Sequence, residues 1–121
     1  MSCYLARRML ANRTLRTTSA AEAVARIESN ENVFIGSGAA EPERLVEALT
    51  ARADVLRGVD IYSILTLGKA PYVAPQYAES FRHVAFFIGP NVREAVQAGR
   101  AEFMPIFLSE IPALFRNRVP I

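Results

Sequence analysis

Residues 32–42 read NVFIGSGAAEP. Val33, Phe34 and Ile35 are the β-branched and aromatic types that fit a pleated strand. The Gly36-Ser37-Gly38 turn that follows can reach conformations closed to other residues, and Pro42 suits the first turn of a helix, where its missing N–H would have no partner. A strand that turns sharply into a helix is the opening of a βαβ unit. The stretch therefore predicts an α/β fold with a mainly parallel sheet and helices packed against it.

The flanking sequence repeats that order. Upstream, Ser19-Ala-Ala-Glu22 is a capping box, and Ala20, Ala23, Val24 and Ile27 fall on one face of the helix it opens. Downstream, Leu45, Val46, Leu49 and Ala53 give the helix after Pro42 its apolar stripe, and Gly58 closes the connection. Val59, Ile61, Tyr62, Ile64, Leu65 and Leu67 form a nearly continuous apolar run, as in a strand covered on both faces. Residues 68–82, GKAPYVAPQYAESFR, have no clean period and read as a long loop. The run VAFFI at 84–88 predicts a third strand, with Asn91 capping a helix that reaches Ala98 and stops at Gly99. A short fourth strand is expected over 103–106, with Pro105 near its edge, and Ser109 is expected to cap a last helix carrying Ile111, Leu114 and Phe115.

At 121 residues, 51% hydrophobic and 21% charged, the chain has the size and balance of one domain with a genuine core, so residues 1–121 are expected to form a single unit. A net charge of only +2 gives no footprint for nucleic acid. No stretch approaches the ~20 apolar residues needed to cross a bilayer. Cys3 is the only cysteine and His83 the only histidine, which excludes an internal disulfide and a structural zinc site and fits a cytoplasmic protein. Arg7, Arg8, Arg13 and Arg16 precede the first acid, as in some targeting segments, but the expectation for residues 1–17 is an N-terminal helix or arm.

The turn at 36–40 lies at the carboxyl end of a strand, where open α/β sheets place ligands. A dinucleotide fingerprint would need glycine at 41, yet Glu41 stands there, with its carboxylate expected at the helix N-terminus a pyrophosphate would use. No Lys-Ser or Lys-Thr follows, which excludes a phosphate-binding loop of the Walker kind. Two readings stay open for Gly36, Ser37, Gly38 and Ala39: plain turn chemistry, or a backbone brought close to a substrate. The second strand-to-helix junction, FFIGPNVR at 86–93, offers Gly89, Asn91 and Arg93 to an anion, with helix capping by Asn91 as the simpler role. His83, Ser37 and Ser109 have no assignable triad partners, so no catalytic residue is named. The remaining glutamates, Glu41 included, read as helix-start or solvent-face carboxylates.

Taken together, the phrases SAAEAVARIESNENVFIGSGAAEPERLVEAL, IYSILTLGKAPY and SFRHVAFFIGPNVREAVQAGRAEFMPIFLSEIPALF resemble, in order and spacing, the N-terminal domain of the acetyl-CoA hydrolase/transferase family. That family includes 4-hydroxybutyrate and acetate CoA-transferases. The resemblance covers roughly residues 4–119. It implies the N-terminal half of a protein with two α/β halves, each with a Rossmann-like sheet of the ribose-isomerase and CoA-transferase type. It implies acyl-CoA and a short carboxylate as substrates, coenzyme A as co-substrate, and no permanently bound cofactor. The attacking glutamate and the main coenzyme A contacts of the family lie in the other half, so the resemblance carries no catalytic residue onto this chain. It places the turns at 36–40, 67–72 and 89–93 on the cleft between halves, where they would shape the acyl pocket. The chain stops where a full-length member continues, so a missing C-terminal half or second subunit is the implied partner. Apolar surface left by its absence predicts a homo-oligomer.

Overall fold

The computed structural model describes residues 17–117. The N-terminal helix or arm expected over 1–17 lies outside the described residues, Thr17 excepted. Four parallel strands form one sheet in the order β1 (Asn32–Phe34), β2 (Val59–Ser63), β3 (Phe81–Ala85) and β4 (Ala101–Phe103). Val33 lies opposite Ile61, Ile61 opposite His83, and His83 opposite Ala101.

Because sequence order equals spatial order, right-handed crossovers put every connection on the same side of the sheet. That side carries α2 (Glu43–Thr50), α3 (Pro90–Gln97) and two 3-10 turns at Pro71–Val73 and Pro75–Tyr77, with α1 (Ala20–Val24) packed on α2. Among the described elements only α4 (Ile111–Asn117), which follows the last strand, reaches the opposite face.

Side-chain alternation along the strands divides the core accordingly. Val59, Ile61 and Phe81 face the helices and join Val46, Leu49, Tyr72 and Val92. Their neighbours Tyr62 and Val84 point the other way, onto Ile111 and Leu114 of α4. Phe34 and Phe115 seal this second cluster in an edge-to-face pair with ring centroids 5.1 Å apart. Burying a side chain as fully as Ile61, which is 0% exposed, contributes ~2–3 kcal/mol.

The capping box forms as expected. Ser19 Oγ accepts the Glu22 N–H at 3.2 Å, and Glu22 Oε2 accepts the Ser19 N–H at 2.9 Å. Hydrogen bonds from the Thr18 hydroxyl and from Ser19 hold the Glu22 carboxyl at about 2. The helix stops at Val24, short of Ile27, because the Arg52 guanidinium takes up the carbonyls of both residues.

Strand boundaries depart from the sequence reading. β2 stops at Ser63, and the apolar residues 64–67 belong to the turn after it. β3 starts at Phe81, inside the expected loop, because Arg82 faces the partly solvated amino end of the sheet. There its Nε donates to Asp60 Oδ1 at 2.9 Å and its Nη1 to Glu102 Oε1 at 3.0 Å. β4 spans 101–103 and ends before Pro105. Asn91 does not cap α3: Gly89 is its N-cap and Pro90 its first residue. Nor does Ser109 cap the last helix. The Glu110 carboxylate accepts the Phe107 N–H at 3.2 Å instead, in a 3-10 turn that leads into α4.

Candidate functional site

Each of the first three strands feeds a turn that contains a glycine near its start: Gly36 after β1, Gly68 after β2 and Gly89 after β3. In a parallel sheet these turns must share one rim, at the carboxyl ends of the strands. Residues 64–68, from the central strand, tie the other two turns together.

The first turn docks on this middle segment at three points. Ser37 Oγ accepts the Ile64 N–H at 2.9 Å, and the Gly38 N–H donates to the Leu65 carbonyl at 2.9 Å. Gly38 has φ +64°, a conformation that side-chain-bearing residues rarely adopt. Glu41 makes the third contact: its Oε2 accepts the N–H groups of Leu67, at 3.2 Å, and Gly68, at 2.8 Å. The expected placement of this carboxylate at its own helix N-terminus is thus corrected. It reaches across to the neighbouring turn, where two consecutive amides offer it a better match than solvent.

The third turn closes from the other side. A Cβ on Gly89 would lie 2.8 Å from the Thr66 carbonyl oxygen, so the close approach of the two backbones requires glycine. The Asn91 side-chain amide donates to the Gly68 carbonyl, which leaves its Oδ1 buried without a partner among the described residues. Ser63 and Thr66 share a buried hydroxyl hydrogen bond of 2.8 Å beneath.

Of the residues singled out in the sequence, Gly36, Ser37, Gly38, Ala39, Gly89 and Asn91 therefore lie in turns that meet along one rim. Arg93 projects from the first turn of α3 into solvent and makes no hydrogen bond or ion pair among the described residues. Sequence reasoning put the turn at 67–72 beside the cleft but read residues 64–67 as strand, and it took Glu41 for a helix-start carboxylate. The available signal was the position of Gly68, which follows its apolar strand run as Gly36 and Gly89 follow theirs.

An open cleft of about 560 Å³ lies between the first two turns, walled by Gly38, Ala39, Leu67 and Gly68 and flanked by Glu41 and Leu45. Small residues and exposed backbone suit it to the close approach of a flat or unbranched group. Two carboxylates line it: Glu41, whose Oε2 already accepts two backbone N–H groups, and Glu43, exposed in the first turn of α2.

His83 is 2% exposed, and its ring lies 5.4 Å from that of Tyr72. Neither of its nitrogens makes a well-formed hydrogen bond among the described residues, the Ile61 backbone on β2 being at most a weak partner. Burial holds its imidazole neutral, with the pKa lowered to about 4, and pushes the Tyr72 phenol up to about 12. This is a core histidine on the helical side of the sheet. Among the described residues no three His, Cys, Asp or Glu side chains gather to hold a metal ion, and no helix is long and apolar enough to cross a membrane.

Comparison with known proteins agrees with this architecture. Over 107 residues the chain is 36% identical to the 4-hydroxybutyrate coenzyme A transferase of Clostridium kluyveri, which covers 88% of this chain and 25% of that protein. It is 40% identical over 94 residues to a succinyl-CoA:acetate/propanoyl-CoA:succinate CoA transferase of Fasciola hepatica, covering 76% and 19% respectively. The chain thus spans about a fifth to a quarter of the length of these curated relatives. The crystal structure of RipA from Yersinia pestis superposes with a TM-score of 0.77 over 86% of this chain and 27% of that one; at 23% identity this is a likeness of fold. The family model for the acetyl-CoA hydrolase/transferase N-terminal domain matches residues 6–119. The chain belongs to that family.

Proposed function

We propose that this chain forms one wall of the acyl pocket in an acyl-CoA:carboxylate CoA-transferase or acyl-CoA hydrolase, while the attacking carboxylate is supplied by polypeptide outside it. Coenzyme A enters as a co-substrate, carried in as its thioester. The observation that carries this reading is the rim itself: three glycine turns locked together at the carboxyl ends of the strands, in a chain whose relatives transfer coenzyme A.

Two features of the geometry support placing the nucleophile elsewhere. Covalent carboxylate catalysis needs a carboxylate free to attack and donors aimed at the developing oxyanion. The rim's central carboxylate, Glu41, is committed through Oε2 to two backbone amides and Ser37 to a third, while the cleft's other carboxylate, Glu43, sits exposed in the first turn of α2. Among the described residues the sheet order β1-β2-β3-β4 also contains no reversal, the place where an open α/β sheet forms a complete crevice. A rim without a reversal fits one wall of a cleft better than a whole one.

The test is the exchange of labelled acetate into acetyl-CoA. The purified chain is expected to give none. Turnover that persists through purification and follows the chain would refute the division of labour proposed here.

A second reading, a self-associating or partner-binding domain without enzymatic function, is favoured by one observation. Phe107 is 76% and Leu108 59% exposed, and Phe103 and Phe87 also project into solvent. Apolar groups of this size tend to be covered by another surface. Sedimentation and calorimetry separate the two readings: a stable oligomer that ignores coenzyme A thioesters and short carboxylates favours the second, and saturable binding favours the first.

A further inference from the structure

The geometry points to Glu41 as the positioning residue of the rim, the strut that sets the width of the cleft between the turns at 36–40 and 64–68. This rests on the proposed function only in taking the cleft as the place where the acyl group is held.

The strut joins both walls. Glu41 stands three residues beyond Gly38 on the same turn, and its Oε2 binds the two amides of Leu67 and Gly68 on the facing turn. The opposite side of Gly68 is held as well, since its carbonyl accepts from the Asn91 side chain. The Gly68 residue is therefore gripped at its N–H by the first turn and at its C=O by the third. Its lack of a side chain is part of the contact, because a Cβ there would lie 2.7 Å from Glu41 Oε1 and 2.8 Å from Glu41 Cδ.

The segment that follows is under strain. Ala70 is buried at φ 45° and ψ 54°, a left-handed conformation that a residue with a Cβ keeps only when its surroundings hold it there. Contacts on both sides of Gly68, two residues earlier, supply part of that hold. Remove the carboxylate, and Leu67 and Gly68 lose their acceptor while Asn91 grips from one side only. The wall formed by Leu67 would then relax relative to Gly38 and Ala39.

The experiment uses the full 121-residue chain and its Glu41→Ala, Glu41→Gln and Gly68→Ala variants, with the Glu41→Ala/Gly68→Ala double variant. Amide hydrogen exchange is followed by NMR at Leu67 and Gly68, with Ile61 and Val84 in the sheet as internal references. Losing a charged acceptor is expected to speed exchange at Leu67 and Gly68 by about tenfold or more in Glu41→Ala, with the references unmoved. Glu41→Gln keeps one acceptor oxygen and is expected to restore most of the protection. Gly68→Ala displaces the carboxylate, so its effect should match that of Glu41→Ala and add nothing in the double variant. Unchanged exchange, or effects that simply add, would overturn the proposal.

Acetyl-CoA is then titrated while the Gly38 and Ala39 amides are observed. Saturable shifts in the wild-type chain, weakened about tenfold by Glu41→Ala and recovered by Glu41→Gln, support the positioning role; equal affinity in all three overturns it. Absence of shifts in the wild-type chain together with fast exchange in Glu41→Ala upholds the strut and counts against the proposed function instead.

Discussion

The two ends of the sheet are built on opposite principles. At the carboxyl ends of β1, β2 and β3, backbone meets backbone: Thr66 against Gly89, Gly38 against Leu65, and Glu41 and Asn91 on either side of Gly68. At the amino end of the face that α4 leaves open, Asp60, Arg82 and Glu102 form a chain of ion pairs, with the Arg82 side chain 51% exposed. The first arrangement works only with small residues and matched hydrogen bonds. The second is more tolerant, because the Arg82 and Glu102 side chains lie half in water, which can replace either of them beside the less exposed Asp60. Sensitivity to substitution should therefore concentrate at the rim, the end that a ligand would use.

The largest expected effect comes from the interior between those ends. His83 has a folded pKa of about 4, below the 6.5 of an exposed imidazole, so the unfolded chain takes up the proton first as pH falls. Stability contributed by keeping this ring neutral is complete above about pH 6.5, declines between 6.5 and 4, and changes no further through this group below 4. The loss amounts to about 3 kcal/mol, read from denaturant midpoints across that window. A His83→Leu variant should show a flatter profile over the same range, and an identical slope would contradict the assignment.

At the rim, Gly89→Ala places a methyl group against a backbone oxygen that cannot step aside. It is expected to lower stability by about 2 kcal/mol in thermal or urea unfolding. Asn91→Ala strips the Gly68 carbonyl of its donor and should cost about 1 kcal/mol, with the loss visible as faster local exchange around Gly68. The contrast is Arg82→Ala at the other end, expected to cost less than about 1 kcal/mol and to shrink further as salt is raised. Should Arg82→Ala prove more damaging than Gly89→Ala, the division between a constrained rim and a tolerant opposite end fails.

The alternation of strand and helix was legible in the sequence because its punctuation is strong. Ser19 with Glu22, the glycine turn before Pro42 and the pair Gly89-Pro90 each mark an element boundary by local chemistry alone. Register was not legible. Residues 64–67 are as apolar as the strand before them, and only the pairing with β3, which sets Ser63 opposite Ala85, shows that β2 has already ended. Phe81 and Arg82 were lost to the apparent loop for a related reason: Arg82 looks like loop polarity until Asp60 and Glu102 are seen beside it. The rim glycines could be read from spacing. The roles of Glu41 and Asn91 could not, because each side chain acts on a turn more than twenty residues away in sequence.

The central claim is that the carboxyl rim faces the acyl-CoA. It is tested most directly by mapping backbone amide shifts over the described residues while acetyl-CoA is added to the chain. The expected result is a set of saturable shifts at Gly36, Gly38, Ala39, Leu67, Gly68 and Gly89, with Asp60, Arg82 and Glu102 unmoved. Shifts gathered on that charged row instead, or none at millimolar ligand, would contradict it.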